Sequence, residues 1–518
     1  MMRAALSLLL AALAIHLVLI LPAAPMPLPQ VLSRTPPELP VLLALLCLGG
    51  GVARLAATLA LSALAIQKLA DLAMVSALGR SFNPVADLPL IDALARLIAG
   101  SFGRAAAIGA AAAALLAAAG IAAGLWWATG AWSARGWRPR HRILAALLAG
   151  LALIPALTGH VRAESSLYAI SRYQTALRTA DDLARLRQAA ANDPFARREG
   201  LLGAIDRDVM VIFVESYGRA SFSVPFHAEA HLQTLRRAED RLAAAGLSMR
   251  SGFLRAPTRG GQSWLSHATF ANGLWISDAT RYRAVLASGR DSLFHHARRA
   301  GFRTAAVMPA ITRPWPESAT MGFDRVLAAA DLGYRGRPFN WVTMPDQFTL
   351  AATDRLLRDP PGDAPLFVQV ALISSHAPWV PVPHLLPWED LGDGTEFDAM
   401  AQVGDPPEIV WRDRDRVRRQ YRDAVDYALR TVMDHAARQG PEGPLLFILG
   451  DHQAAPGIAL DEGPDVAIHV IGPEALVGRA AAWGFAPGLI PAPDSAAIPM
   501  DRMRDLILKG FSRPQEPP

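Results

Sequence analysis

Three apolar runs in the C-terminal half of the chain each stop at residues that could do chemistry. "DVMVIFV" (208–214) runs into "ESYG", so Glu215 is the first polar residue after it. "LLFILG" (445–450) runs into the adjacent pair Asp451 and His452, and "LFVQVALI" (366–373) runs into "SSHAPW", which carries His376. One acid after a strand is usually a helix cap or a surface group. A carboxylate and an imidazole side by side suit a hard or borderline divalent cation, and zinc and manganese both fit such ligands. The single cysteine, Cys47, lies in an apolar run. No intrachain disulfide and no cysteine-based zinc site can form, so any metal is held by oxygen and imidazole.

A cation of this kind can activate a hydroxyl. "PTRGGQSWLSHATFANGL" (257–274) offers four: Thr258, Ser263, Ser266 and Thr269. The two glycines give a flexible entry, and helix-compatible residues follow Ser263. A hydroxyl at a helix N-terminus sits at the positive end of the dipole, which favours its alkoxide and an incoming anion. The plain alternative is that Ser263 caps that helix. Ser266 and Thr269 fall one and two turns further on and cannot share a reaction centre with Ser263. Arg259, four residues before Ser263, could meet an anionic substrate or face solvent.

These groups need elements to position them. "DVMVIFV", "TAAVMP" (304–309), "LFVQVALI", "LLFILG" and "VAIHVIG" (466–472) are short continuous apolar runs between helical patterns. That pattern indicates an α/β domain with a mostly parallel sheet covered by helices on both faces. Ligands of such sheets bind beyond the carboxyl ends of the strands. Residues 411–435 read as a solvated helix, and His295 and His296 as surface groups.

The chain has 518 residues, too many for one core, and 52% of them are apolar, with the excess before residue 160. We expect about five transmembrane helices there: 4–22, two within 38–78 turning near "GGGVAR", 104–130 and 142–159. Residues 81–103 are either a helix at the membrane surface or a loop. The loop "ARGWRPRHR" carries four arginines in nine residues, which places it in the cytoplasm and everything after the fifth span outside. The expected organisation is a membrane domain 1–160, a linker helix within 161–200 and an extracytoplasmic domain 201–518. The net charge is +5, but lysine occurs only at Lys68 and Lys509, and no basic tract alternates with aromatics. Nucleic acid is not an expected partner. The tail "SRPQEPP" reads as disordered.

Together these motifs resemble the membrane-anchored phosphotransferases of the alkaline phosphatase superfamily. That group includes lipoteichoic acid synthase, the phosphoglycerol transferases of periplasmic glucans and the lipid A phosphoethanolamine transferases. The resemblance implies a sulfatase-like catalytic domain after an N-terminal bundle in the cytoplasmic membrane. It implies Glu215, Ser263, Asp451 and His452 as metal ligands, Ser263 as nucleophile, and His376 acting on the phosphate or leaving group. "WVTMPDQF" is similar to the family's segment near the substrate, which brings in Trp341 and Asp346. His469 is similar to a further histidine of some members. The implied partners are a phospholipid donor and a glycan or lipid acceptor. Three departures stand out. The nucleophile is Ser rather than Thr, Gln453 replaces a common Gly, and disulfides typical of the phosphoethanolamine group are impossible. "SWLSH" at 263–267 lacks the C/S-x-P/A-x-R pattern of formylglycine sulfatases. The rival expectations are a sulfatase-like hydrolase, or phosphodiesterase, and a non-catalytic scaffold. A degenerate scaffold is expected to have lost ligands, yet all four positions are filled.

Overall fold

The computed structural model describes residues 2–83, 87–134, 136–158, 161–359 and 362–513. The chain divides into two compact units. The first is made mainly of residues up to Asp182, and the second runs from Leu183, with short pieces around 85–89 and 100–102.

In the first unit, three helices among the described residues are long and apolar enough to cross a membrane: Met2–Ile20, Glu38–Leu78 and Arg104–Ser133. Ala11, Ile15, Leu46, Leu61, Leu125 and Ala128 pack between them. Five spans were expected. The difference has two sources. Residues 38–78 form one assigned helix, broken only by the non-helical backbone of Gly50 (φ 59°, ψ −146°). At 1.5 Å per residue the part before the break is about 18 Å long, too short to span, and the part after it about 42 Å. The expected fifth span, 142–159, falls on the 19-residue helix Pro139–Leu157, whose first turn carries Arg140, His141 and Arg142; residue 159 lies outside the described residues. Residues 88–102 form a helix rather than a loop.

Buried polar groups tie the start of the linker helix, Glu164–Ala191, to this unit. Asp71 accepts a hydrogen bond from Tyr168 Oη (2.6 Å) and pairs with Arg172 (3.0 Å). Lys68 Nζ donates to Ser165 Oγ (2.8 Å) and to the Leu19 carbonyl (2.9 Å).

In the second unit a nine-stranded sheet has the order β4-β3-β5-β1-β6-β7-β2-β8, with β9 beside β2. Its strands are β1 (Val209–Val214), β2 (Ser248–Arg255), β3 (Arg303–Met308), β4 (Arg325–Ala328), β5 (Leu366–Ala371), β6 (Leu445–Gly450), β7 (Asp465–Gly472), β8 (Ala486–Pro487) and β9 (Ile498–Pro499). β4, β3, β5, β1 and β6 are parallel neighbours, whereas β7 runs antiparallel to both β6 and β2. Alternation along β1 feeds two cores. Met210, Ile212 and Val214 pack on one side with Leu235, Val425 and Leu429 of helices Pro225–Ala244 and Arg414–Gln439. Val209, Val211 and Phe213 pack on the other with Phe270, Phe294 and Ile507 of helices Ser263–Asn272, Leu293–Arg299 and Met503–Gly510. Each central strand is therefore buried on both faces, which is why the sequence shows continuous apolar runs there. His296 is buried in this second layer, not on the surface as its sequence context suggested, and lies 3.9 Å from the Asp193 carboxylate.

Candidate active site

The register of the central strands assembles the cluster. Val214 of β1 stands opposite Gly450 of β6, so Glu215 and Asp451 are the next residues on adjacent parallel strands. Adjacent strands lie about 4.8 Å apart, which brings the two carboxylates and His452 to one point at the carboxyl edge. One ligand atom each from Glu215, Asp451 and His452 lies within 4.8 Å of the other two, and all three residues are buried. The turn after β1 requires an αL residue, Ser216 (φ 59°). Its amide donates to Asp451 Oδ1 (2.8 Å) and its hydroxyl to Glu215 Oε1 (3.2 Å).

The nucleophile loop is stitched to the same edge. The Gly260 amide donates to the Gln453 carbonyl (2.8 Å), and Arg259 bridges Gln453. Gly260 (φ 66°), Gly261 (φ 138°) and Gln262 (φ 67°) follow in succession, all at positive φ, a course that two glycines make accessible. Thr258 Oγ1 closes the turn on the Gly261 carbonyl (2.9 Å). Ser263 then opens helix Ser263–Asn272. The capping position belongs to Gln262, without a side-chain cap, so the capping alternative for Ser263 does not hold. Ser263 Oγ instead donates to Glu215 Oε2 at 2.8 Å. Thr269 bonds Ile276, and Ser266 is fully buried inside the helix packing.

His452 Nδ1 faces the Gln453 carbonyl at 3.1 Å, which fixes Nδ1 as the protonated nitrogen. Its Nε2 is buried, lies 3.0 Å from Glu215 Oε1 and makes no aligned hydrogen bond. Burial opposes ionisation of Glu215, but the His452 charge, and after it that of His376, outweighs burial and holds the carboxyl well below its usual range. Burial and the Glu215 charge both push the Asp451 carboxyl up. Burial disfavours the His452 imidazolium, but Asp451 and Glu215 outweigh it and push that pKa up. Two buried carboxylates thus converge on one point beside an imidazole nitrogen that makes no hydrogen bond. A divalent cation fits this donor set.

His376 stands on the loop after β5. Its Nδ1 pairs with the Ala377 carbonyl (2.6 Å), leaving Nε2 for chemistry, and Trp341 stacks on its ring with centroids 3.9 Å apart and planes 18° from parallel. Asp346 opens helix Asp346–Thr353 and is fully buried. Its Oδ1 accepts from the Ile373 and Ser374 amides at 2.8 Å each, and its own amide donates to Ser374 Oγ at 2.8 Å. Burial pushes its carboxyl up to about 6 despite those bonds. His469 lies within β7 and is not one of the three clustered ligands. It is committed on both sides, to Tyr217 Oη (3.0 Å) and Ser251 Oγ (2.7 Å). The Arg259 side chain approaches Glu462 at 3.8 Å.

Sequence reading missed three contributors. Ser375 Oγ donates to the Glu215 carbonyl (2.6 Å), and Tyr421 Oη donates to the Ser216 carbonyl (2.9 Å). His267 is buried one turn beyond Ser263 against Phe213, with neither ring nitrogen hydrogen-bonded. Ser375 lies inside a motif already singled out by its histidine. Tyr421 and His267 sit in helical patterns that look like ordinary core.

The sulfatase family model matches residues 207–467, half of the chain. No curated protein matches. Among solved structures, the chain is similar to the lipooligosaccharide phosphoethanolamine transferase A (EptA) of Neisseria meningitidis, at 15% identity over 92% of this chain and 87% of that one, TM-score 0.44. It is also similar to the lipoteichoic acid synthase LtaP of Listeria monocytogenes (12% identity, 56% and 71% covered, TM-score 0.37). A third is the phosphoglycerol transferase GacH of Streptococcus pyogenes, solved with sn-glycerol-1-phosphate (12% identity, 64% and 92% covered, TM-score 0.37). The family assignment rests on the family model, whose match begins just before β1 and ends within β7, enclosing every residue of the cluster. The chain belongs to the sulfatase family of enzymes, and its N-terminal unit carries three helices, among the described residues, that are long and apolar enough to cross a membrane.

Proposed function

We propose that this enzyme transfers a phosphate-linked head group, phosphoglycerol or phosphoethanolamine, from a membrane phospholipid to a hydroxyl of a glycan or lipid acceptor. The observation that carries the reading is the bond from Ser263 Oγ to Glu215 Oε2 at 2.8 Å, beside Asp451 and His452. It puts an alcohol beside the clustered carboxylates and imidazole.

Glu215, Asp451, His452 and Ser263 would hold the cation, zinc or manganese. When bound, the ion supplies positive charge that lowers the hydroxyl pKa and stabilises charge on the phosphoryl oxygens. Glu215 aligns Ser263 Oγ, takes its proton as Oγ attacks, and returns it when Ser263 is released. Oγ attacks phosphorus, the bond to diacylglycerol breaks, and the head group stays on Ser263 as a phosphodiester. His376 protonates the departing diacylglycerol oxygen. It then takes the proton of the acceptor hydroxyl, which attacks phosphorus and releases Ser263. Trp341 fixes the plane of the His376 ring, and Arg259, on the loop before Ser263, is the candidate to meet an anionic head group.

The reading also covers location. We place the catalytic domain outside the cytoplasmic membrane, on a multi-pass anchor. The arginine-rich stretch 134–142 belongs on the cytoplasmic side, which requires the rest of helix Pro139–Leu157, residues 143–157 and about 22 Å long, to cross back. The anchor keeps the site beside its lipid donor.

Incubating the detergent-solubilised chain with labelled phosphatidylglycerol or phosphatidylethanolamine, with and without a glycan acceptor, tests the reading. Labelled diacylglycerol and a modified acceptor are expected. Membership of a family named for hydrolases favours a second reading, in which water resolves the intermediate. Release of the free head-group phosphate at the same rate with and without acceptor supports that one.

A further inference from the structure

We propose that Asp346 is a positioning residue for His376 and Glu215, not a contact to substrate. This deepens the proposed transfer and rests on His376 acting in it.

Asp346 is fully buried, and its contacts converge on one target. Oδ1 receives the consecutive amides of Ile373 and Ser374, and the Asp346 amide returns a bond to Ser374 Oγ. Three hydrogen bonds therefore clamp the two residues where the chain leaves β5. The next residue, Ser375, is fully buried and holds the carbonyl of Glu215 at 2.6 Å; the one after it is His376. Upstream, Trp341 stacks on the His376 ring. The segment 341–346 thus grips the loop 373–376 at both ends, by a ring at His376 and by a carboxylate at 373–374. Release of the clamp frees the loop that carries the acid–base histidine and, through Ser375, also loosens the metal-ligand turn. A shift of about 1 Å in such a group costs roughly 10²-fold in rate.

The clamp needs an acceptor oxygen, not a charge. Asn presents the same oxygen, whereas Ala presents none. In the full chain, turnover of fluorescent-acyl phosphatidylglycerol or phosphatidylethanolamine by Asp346→Asn is expected within about threefold of wild type. Asp346→Ala is expected to lose about 10²-fold in kcat with little change in KM. Ser374→Ala removes only the reciprocal bond and is expected to lose several-fold in kcat. A readout independent of substrate accompanies these. Hydrogen exchange at the amides of 373–376 rises in Asp346→Ala and stays at the wild-type level in Asp346→Asn, while β1 remains protected in both. The proposal is overturned if Asp346→Asn is as impaired as Asp346→Ala, if the loss appears as a raised KM, or if exchange at 373–376 is unchanged in Asp346→Ala. Should Asp346→Ala not fold, Ser374→Ala with Asp346→Asn decides by the same exchange measurement. If the wild type turns over neither lipid, the transfer reading fails, and the exchange result still judges the clamp.

Discussion

Ser263 and Glu215 share one hydrogen bond, and the chemistry at the residue scale hangs on the charge behind it. Glu215→Gln keeps the size and one acceptor oxygen but removes a negative charge from the three-residue cluster. Metal content of the purified chain, read by mass spectrometry, is expected to fall at least about tenfold at fixed free zinc or manganese, with activity falling alongside. His452→Gln is expected to behave alike, because Nε2 has no hydrogen bond to lose and, in the proposed site, would be a ligand to the cation. Metal retention in both variants counts against the cluster as the binding site. Glu215, Asp451, His452 and Ser263 were legible in the sequence because each follows an apolar strand or a glycine turn directly. The role of Asp346 was not, because it depends on amides 27 and 28 residues away that no local pattern reveals.

At the element scale the turn before Ser263 and the register of β1 on β6 set the site. Gly261 has φ of 138°, where a side chain is strained even though a Cβ there meets no neighbour. Gly261→Ala is expected to lower stability by about 1 kcal/mol, seen in thermal unfolding. Activity is expected to fall by more than that loss explains, because the turn delivers Ser263 to Glu215. Unchanged activity in a destabilised variant contradicts that role for the turn. Continuous apolar runs marked β1, β3, β5, β6 and β7 in the sequence. β2, "SMRSGFLR", was not marked, since Ser248, Arg250, Ser251 and Gly252 interrupt its apolar pattern and pairing with β7 and β8 decides its state. The antiparallel course of β7 was equally hidden, because a run buried on both faces looks the same in either direction.

Across the whole molecule, a helical unit with apolar membrane-spanning lengths precedes an α/β unit that carries the chemistry. Hydropathy marked the apolar part of the chain, but not the number of long apolar helices in it, since a 41-residue helix interrupted at one glycine reads as two. The second unit also has a pH signature. Burial pushes the His231 imidazole down to about 3, and that of His469 likewise to about 3. Both are lower than the unfolded value of about 6.5, so the unfolded chain binds protons that the folded chain refuses. Their stabilising contribution is present above about pH 6.5 and is lost as pH falls towards 3. Denaturant midpoints of the solubilised chain are expected to drop steadily from pH 7 to pH 4.5, and His231→Phe to flatten that slope. An unchanged slope contradicts a buried, neutral His231.

The central claim is that Ser263 carries the transferred group. The direct measurement is the intact and peptide mass of the full-length chain, loaded with zinc or manganese, after brief exposure to phosphatidylglycerol or phosphatidylethanolamine without acceptor. The expected result is one added head-group phosphate on the peptide containing Ser263, chased off by acceptor and absent from Ser263→Ala, which also loses turnover. Near-normal turnover by metal-loaded Ser263→Ala, or an adduct on a different residue, contradicts the claim.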